Sequence, residues 1–299
     1  MARFIHDQFA KQYLSELLSS LGKVETSKDI AAEVRQVDVF FIPSSSPSIS
    51  PDELGLLGRL TNTPAIFEPF RNPITANDIR TCMLKLFVLQ GKWERENVNV
   101  KNSQLPQLWL LTPTASANLL DRVRAKPQKS WPQGIYFLGD ILKTAIVVIH
   151  QLPRTSETLW LRLLGRGRVQ QQAILELEAL PKTDRWRNNV VKLVYELLII
   201  LAQRQKPLLD RDDLELIVTL TQMYEEAVAE LREEAEKQAT RRLITNILRV
   251  RFEEVDENLT AIIEAIASCP SEEFTPLLLQ LSREELLIRF SREEEEENN

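Results

Sequence analysis

One change of pattern close to residue 157 constrains the fold of this chain more than any other feature. Before it, short apolar runs of strand type alternate with segments of helical periodicity. The strand runs are Glu33–Ile42, where Val37, Val39 and Phe41 alternate, then Ala65–Glu68, Leu108–Thr112, Ile135–Leu138 and Ala145–Ile149. The helical segments are His6–Leu21, with Gly22 placed to cap it, Asp52–Leu60, Thr75–Gln90 and Ala115–Val123. Past Glu157 strands disappear: Leu159–Leu164, Val169–Leu180, Asn188–Gln203 and Asp213 to about Phe252 all carry helical spacing, and a leucine-rich helical unit follows. The expected fold is therefore α/β in the first half and all-α beyond it. The expected organisation is an α/β domain over 1–155, a helical extension with a charged connecting helix over 156–242, a small helical domain over 243–290, and a disordered acidic tail over 291–299.

Composition removes several classes of function. There are only 8 glycines in 299 residues, which argues against a glycine-cradled nucleotide fold. The two cysteines, Cys82 and Cys269, and the two histidines, His6 and His150, are too few for a disulfide scaffold or a Cys/His zinc cluster. Neither histidine has a serine or cysteine partner motif, which disfavours a Ser-His-Asp hydrolase. The N-terminus lacks an apolar leader, and Thr144–Ile149 and Leu193–Ala202 fall short of the roughly 20 residues that span a bilayer. A soluble, cytoplasmic protein without membrane contact is expected.

Charge is unevenly distributed. Residues 101–200 hold 14 Lys+Arg against 7 Asp+Glu, whereas residues 201–299 hold 12 against 24. A polyanion such as DNA would be drawn to the middle of the chain and repelled by its end; the alternative is ordinary variation of surface charge. Leu220, Tyr224, Ala227 and Leu231 keep coiled-coil spacing for about two heptads, which suggests homo-oligomerisation through the C-terminal helices.

Four polar residues stand out against apolar surroundings. Asp38 interrupts an apolar strand, Glu68 ends the next one before Pro69, Lys85 sits among Met83, Leu84, Leu86 and Phe87, and Asp7 lies near the start of the first helix. Proline cannot donate to a ladder, so Glu68 is expected at a strand end or an exposed edge, where the strand opens into a cleft. Two carboxylates on adjacent strands can converge on one hard cation, and a lysine reaching the same point would orient a nucleophile or stabilise developing charge. Each residue has a plainer reading: Asp38 on a solvated face, Glu68 capping a turn, Lys85 snorkelling, Asp7 complementing a helix dipole. Gly165-Arg166-Gly167-Arg168, with Arg162 before it, is either a phosphate-contacting segment or a hinge with solvated arginines.

His6-Asp7-Gln8-Phe9-Ala10-Lys11, Arg35 three positions before Asp38, and Glu68-Pro69-Phe70-Arg71-Asn72-Pro73 together resemble the bacterial recombination-promoting nuclease and transposase family. That family belongs to the PD-(D/E)XK nuclease superfamily. Leu159-Trp160-Leu161-Arg162-Leu163-Leu164-Gly165 is similar to a later block of the same family, and the region around Arg249-Val250-Arg251-Phe252 resembles a helical domain appended to its members. The resemblance implies a restriction-endonuclease-like core, a central mixed sheet flanked by helices, that cleaves DNA with Mg2+ or Mn2+. Asp38 and Glu68 would be metal ligands and catalytic groups, Asp7 a supporting ligand, and Arg35, Arg71, Arg162, Arg166 and Arg168 DNA contacts. The pattern asks for Lys or Gln two residues after the Glu, and this chain has Phe70. Lys85 could supply the amine from the next helix, Arg71 could supply charge, or the cleft could bind without turnover.

Overall fold

The computed structural model describes residues 2–29, 36–97, 99–203 and 209–297. The chain divides into two compact units, Met1–Thr221 and Gln222–Asn299, where the sequence had suggested breaks at 155, 242 and 290.

The first unit is built on a seven-stranded mixed sheet of order β1-β2-β3-β4-β7-β6-β5. Strand β1 (Gly22–Asp29) pairs antiparallel with β2 (Gln36–Pro43), and β2 pairs antiparallel with β3 (Ala65–Pro69). Strands β3, β4 (Gln107–Thr112) and β7 (Thr144–Val148) run parallel at the centre. Strands β6 (Ile135–Phe137) and β5 (Lys126–Pro127) complete the sheet antiparallel to it. Every residue of Leu108–Leu111 and Ala145–Val148 is buried, as central parallel strands covered on both faces require.

Two strands escaped the sequence pattern. Strand β5 is only two residues long, and β1 reads Gly-Lys-Val-Glu-Thr-Ser-Lys-Asp, with one aliphatic side chain in eight. A charged edge strand is stabilised by its neighbour and discourages pairing with another chain, so apolar alternation is not needed there. Gly22 is consequently not a helix cap. It opens β1 opposite Pro43, and a Cβ on it would lie 2.1 Å from the Ile42 carbonyl oxygen, so only glycine permits that approach.

Helix α1 (Ala2–Leu18) buries Phe9, Tyr13, Leu14, Leu17 and Leu18 along one stripe, and the Tyr13 hydroxyl donates to the Trp160 carbonyl at 2.6 Å. Between β2 and β3 lies the short helix α2 (Gly55–Arg59). Helix α3 (Ala76–Glu96) crosses from β3 to β4 and starts in a Thr75/Asp78 capping box. Its buried side is Ile79, Cys82, Leu86 and Leu89, packed with Ile66, Leu108 and Leu110 of the sheet. Leu84 and Phe87, expected on that side, are 43% and 42% exposed, which turns Lys85 toward the sheet ends and away from open solvent. The short helix α4 (Ala117–Arg122) follows β4.

Past residue 157 come helices α5 (Leu159–Arg162), α6 (Arg168–Glu178), α7 (Arg187–Ala202) and α8 (Arg211–Phe252), within which the division between the units falls. The second unit closes its core with α9 (Glu257–Ala261), α10 (Ile263–Ser268), α11 (Ser271–Gln280) and α12 (Arg283–Glu297). Ile244, Leu248, Leu259, Ile262, Ile263, Ile266, Phe274, Leu278, Leu286 and Phe290 form its buried cluster. Helix α12 takes in the acidic run Glu293–Glu297, expected from its like charges to be disordered; glutamate is a good helix former and prolongs the helix. No helix among the described residues is long and apolar enough to cross a membrane.

Gly58 gives a test of this packing. In a helix, Gly→Ala ordinarily stabilises by about 1 kcal/mol. Here the added Cβ would sit 1.8 Å from the Pro51 carbonyl oxygen. Gly58→Ala is therefore expected to destabilise, by about 1–3 kcal/mol as overpacking does, in urea unfolding of the full chain.

Candidate functional site

Strands β2 and β3 are paired through Val39↔Phe67, Phe40↔Ile66 and Phe41↔Ala65. Continued by one step, that register sets Asp38 opposite Glu68, and directly opposed residues of antiparallel strands project to the same face. The Asp38 N–H points at Glu68 Oε1, 3.4 Å away. Pro69 ends β3, and its neighbour Phe70 donates its N–H to the Leu111 carbonyl. Glu68 thus lies at the end of an interior strand, where the sheet gives way to a cavity of about 730 Å³.

The cavity gathers the residues that the sequence singled out. Asp7 from α1, Asp38 from β2, Glu68 from β3 and Lys85 from α3 all line it, with Phe70, Arg71 and Cys82. The Lys85 ammonium donates to both Glu68 oxygens, at 2.9 and 2.8 Å. The Glu68 side chain is only 4% exposed. Burial, and then the Asp38 charge, push its carboxyl up to about 7 against the opposing pull of Lys85. Burial works against the Lys85 ammonium too, but Glu68 outweighs it and raises that group above its ordinary value, so Lys85 is a cation at neutral pH. Cys82 lies 3.7 Å from Glu68; burial and the Glu68 charge lift its thiol out of the reactive range.

Asp38 and Asp7 share a second lysine, Lys11, which no sequence motif marks as part of the site. Lys11 Nζ is 2.9 Å from Asp38 Oδ1 and 3.0 Å from Asp7 Oδ2. Its i,i+4 spacing from Asp7 was visible in the sequence; its reach to β2 was not. The cavity wall also holds a buried polar group with no local sequence signal, because Asp213 joins it from 142 positions beyond Arg71. Arg71 donates to Asp213 at 2.6 Å and to Gln170 at 3.0 Å, and His6 Nε2 lies 3.0 Å from the same Asp213 oxygen. Burial alone would raise the Asp213 carboxyl; the bond and charge of His6 and those of Arg71 reverse this and bring it down to about 2.

The arginines expected to contact DNA divide. Arg35 lies outside the described residues. Arg71 lines the cavity, but its two terminal nitrogens are committed to Asp213, Gln170 and Gly165. Arg162 is corrected to a structural role: it is 3% exposed and grips Glu176, Thr158 and the Thr155 carbonyl, because a buried guanidinium needs its donors satisfied. Arg166 is partly exposed and held by Asp210, Asp212 and Asn72. Arg168 is exposed at the start of α6. Gly167 takes a positive φ of 55° as the residue before α6, so the glycine-arginine segment is a turn that glycine makes possible.

The donors facing the cavity from Asp7, Asp38 and Glu68 are all carboxylate oxygens, which suits a hard divalent cation bound by one or two carboxylates and water. Among the described residues no three His, Cys, Asp or Glu side chains are grouped tightly enough to hold an ion by themselves; the lysines stand between them. No protein-family model, curated protein or solved structure matches the chain.

Glu68 binds its proton more tightly folded than unfolded, so its contribution to stability is complete below about pH 4.5 and is lost as pH rises through about 7. Urea unfolding from pH 4 to 8 should show wild type losing up to about 3 kcal/mol across that window relative to Glu68→Gln. Parallel pH profiles for the two proteins would contradict it.

Proposed function

We propose that the chain is a metal-dependent DNA endonuclease of the PD-(D/E)XK type, related to the recombination-promoting nucleases that its sequence resembles. The observation that carries this reading is the pairing of Asp38 and Glu68 on one face of neighbouring strands, with Lys85 bound to Glu68 from the crossover helix. It is supported by a mixed sheet, by the cavity of about 730 Å³ that these residues line, and by the basic middle of the chain.

Mg2+ or Mn2+, held by Asp38 and Glu68, would supply the positive charge that favours a hydroxide nucleophile and offsets charge on the phosphate. The remaining work falls to the chain. Lys85 stays protonated, so it cannot begin as a base; it orients the attacking water and stabilises the charge that grows on the phosphoryl oxygens. Its place on α3 supplies the amine that Phe70, two residues after Glu68, lacks. Phe70 and Pro69 give the cavity an apolar wall, which strengthens each charge inside it.

Nicking of supercoiled plasmid with Mg2+ tests the reading. Asp38→Ala and Glu68→Ala are expected to abolish it, and Lys85→Ala to slow it about 10²–10³-fold, the scale of losing one transition-state donor. Full activity in either carboxylate variant contradicts the assignment. Phe70 motivates a second reading, a nuclease-fold protein that binds DNA without turnover. Salt-sensitive DNA binding unchanged by Asp38→Ala, with no metal-stimulated nicking, would select it.

A further inference from the structure

Three carboxylates face the candidate site, and two lysine ammoniums hold them. Lys85 belongs to the cavity itself, whereas Lys11 is not among the residues that line it. Asp7 and Asp38 line the main cavity; Lys11 lines a separate groove of about 660 Å³ that it shares with Asp7, Gln12, Glu16, Thr26 and Ser27. From that groove its ammonium reaches the two carboxylates at 3.0 and 2.9 Å. Its side chain is 18% exposed, so the contact is sheltered and only partly screened. A lysine stem has four flexible bonds and can withdraw along the groove without disturbing the backbone of α1.

We propose that Lys11 is an exchangeable placeholder for the divalent cation: it holds Asp7 and Asp38 together and is displaced when the ion binds. The inference rests on the metal-dependent reading and adds to it a residue that sets the affinity for the ion. At about 4 Å an ammonium and a divalent ion repel by several kcal/mol at the effective dielectric of a partly exposed pair, and Lys11 has a groove of its own to withdraw into, whereas Lys85 is held by Glu68 within the cavity. Every loading event therefore breaks the Lys11–Asp38 bond, and affinity is lower by whatever that bond contributes.

The test is calorimetric titration of the full-length protein with Mn2+ alone, without DNA and without reference to turnover. Lys11→Gln, which keeps the length and a weaker donor, is expected to bind Mn2+ at least about tenfold more tightly than wild type. Lys11→Arg is expected to bind it more weakly, because a planar guanidinium can hold a carboxylate through two parallel bonds. Unfolding curves of both variants show whether they fold. The inference is overturned if wild type binds Mn2+ and Lys11→Gln binds it equally or less tightly, or if Lys11→Arg binds more tightly. Absence of Mn2+ binding in wild type and both variants would instead overturn the metal-dependent reading on which it stands.

Discussion

The ion pair between Glu68 and Lys85 is the interaction on which the site depends. A carboxylate buried at the end of an interior strand is costly unless its charge is matched and its lone pairs are used. Lys85 answers with two bonds, and the Asp38 amide faces the same carboxylate. The match is incomplete, because burial, and then the nearby Asp38 charge, raise the Glu68 carboxyl above its ordinary value despite Lys85. An arrangement that keeps two acids close, one of them buried, is a costly use of an interior position. Such cost concentrates where a chain does chemistry.

The elements around this pair hold it in position. Central strands β3, β4 and β7 are buried on both faces and give Glu68 a rigid base. Helix α3 is fixed at its start by Thr75 and Asp78 and along its length by Ile79, Cys82, Leu86 and Leu89, which sets the height of Lys85. The far wall comes from later in the chain. Gly165, Gln170 and Asp213 tie the helical segment past residue 157 to Arg71 and His6. The first unit accordingly runs to Thr221, well beyond the last core strand.

What could be read in the sequence follows from how local each signal is. The alternation Val37, Val39, Phe41, the run before Pro69 and the helical stripe of α1 are short-range patterns, and they located β2, β3 and α1 closely enough to bring Asp7, Asp38, Glu68 and Lys85 into one cavity. Strand β1 was hidden because its order comes from pairing with β2 and its composition comes from its exposed edge. On α3 the apolar side is not legible from composition: Leu84 and Phe87 are as apolar as Leu86, and only the packing decides which are covered. Lys11 and Asp213 act through contacts made 27 and 207 positions away, to Asp38 and His6 respectively, and no local pattern encodes such pairings. Arg162 looked like a surface cation because arginine usually is one; its burial against Glu176 is a tertiary fact.

The most direct measurement is anomalous X-ray diffraction from crystals of the protein grown with Mn2+. The account predicts a single strong peak bridging Asp38 and Glu68 at about 2 Å from an oxygen of each, with the Lys11 ammonium moved off Asp38. A difference map with no peak there, and with both lysines still seated on their carboxylates, would contradict it.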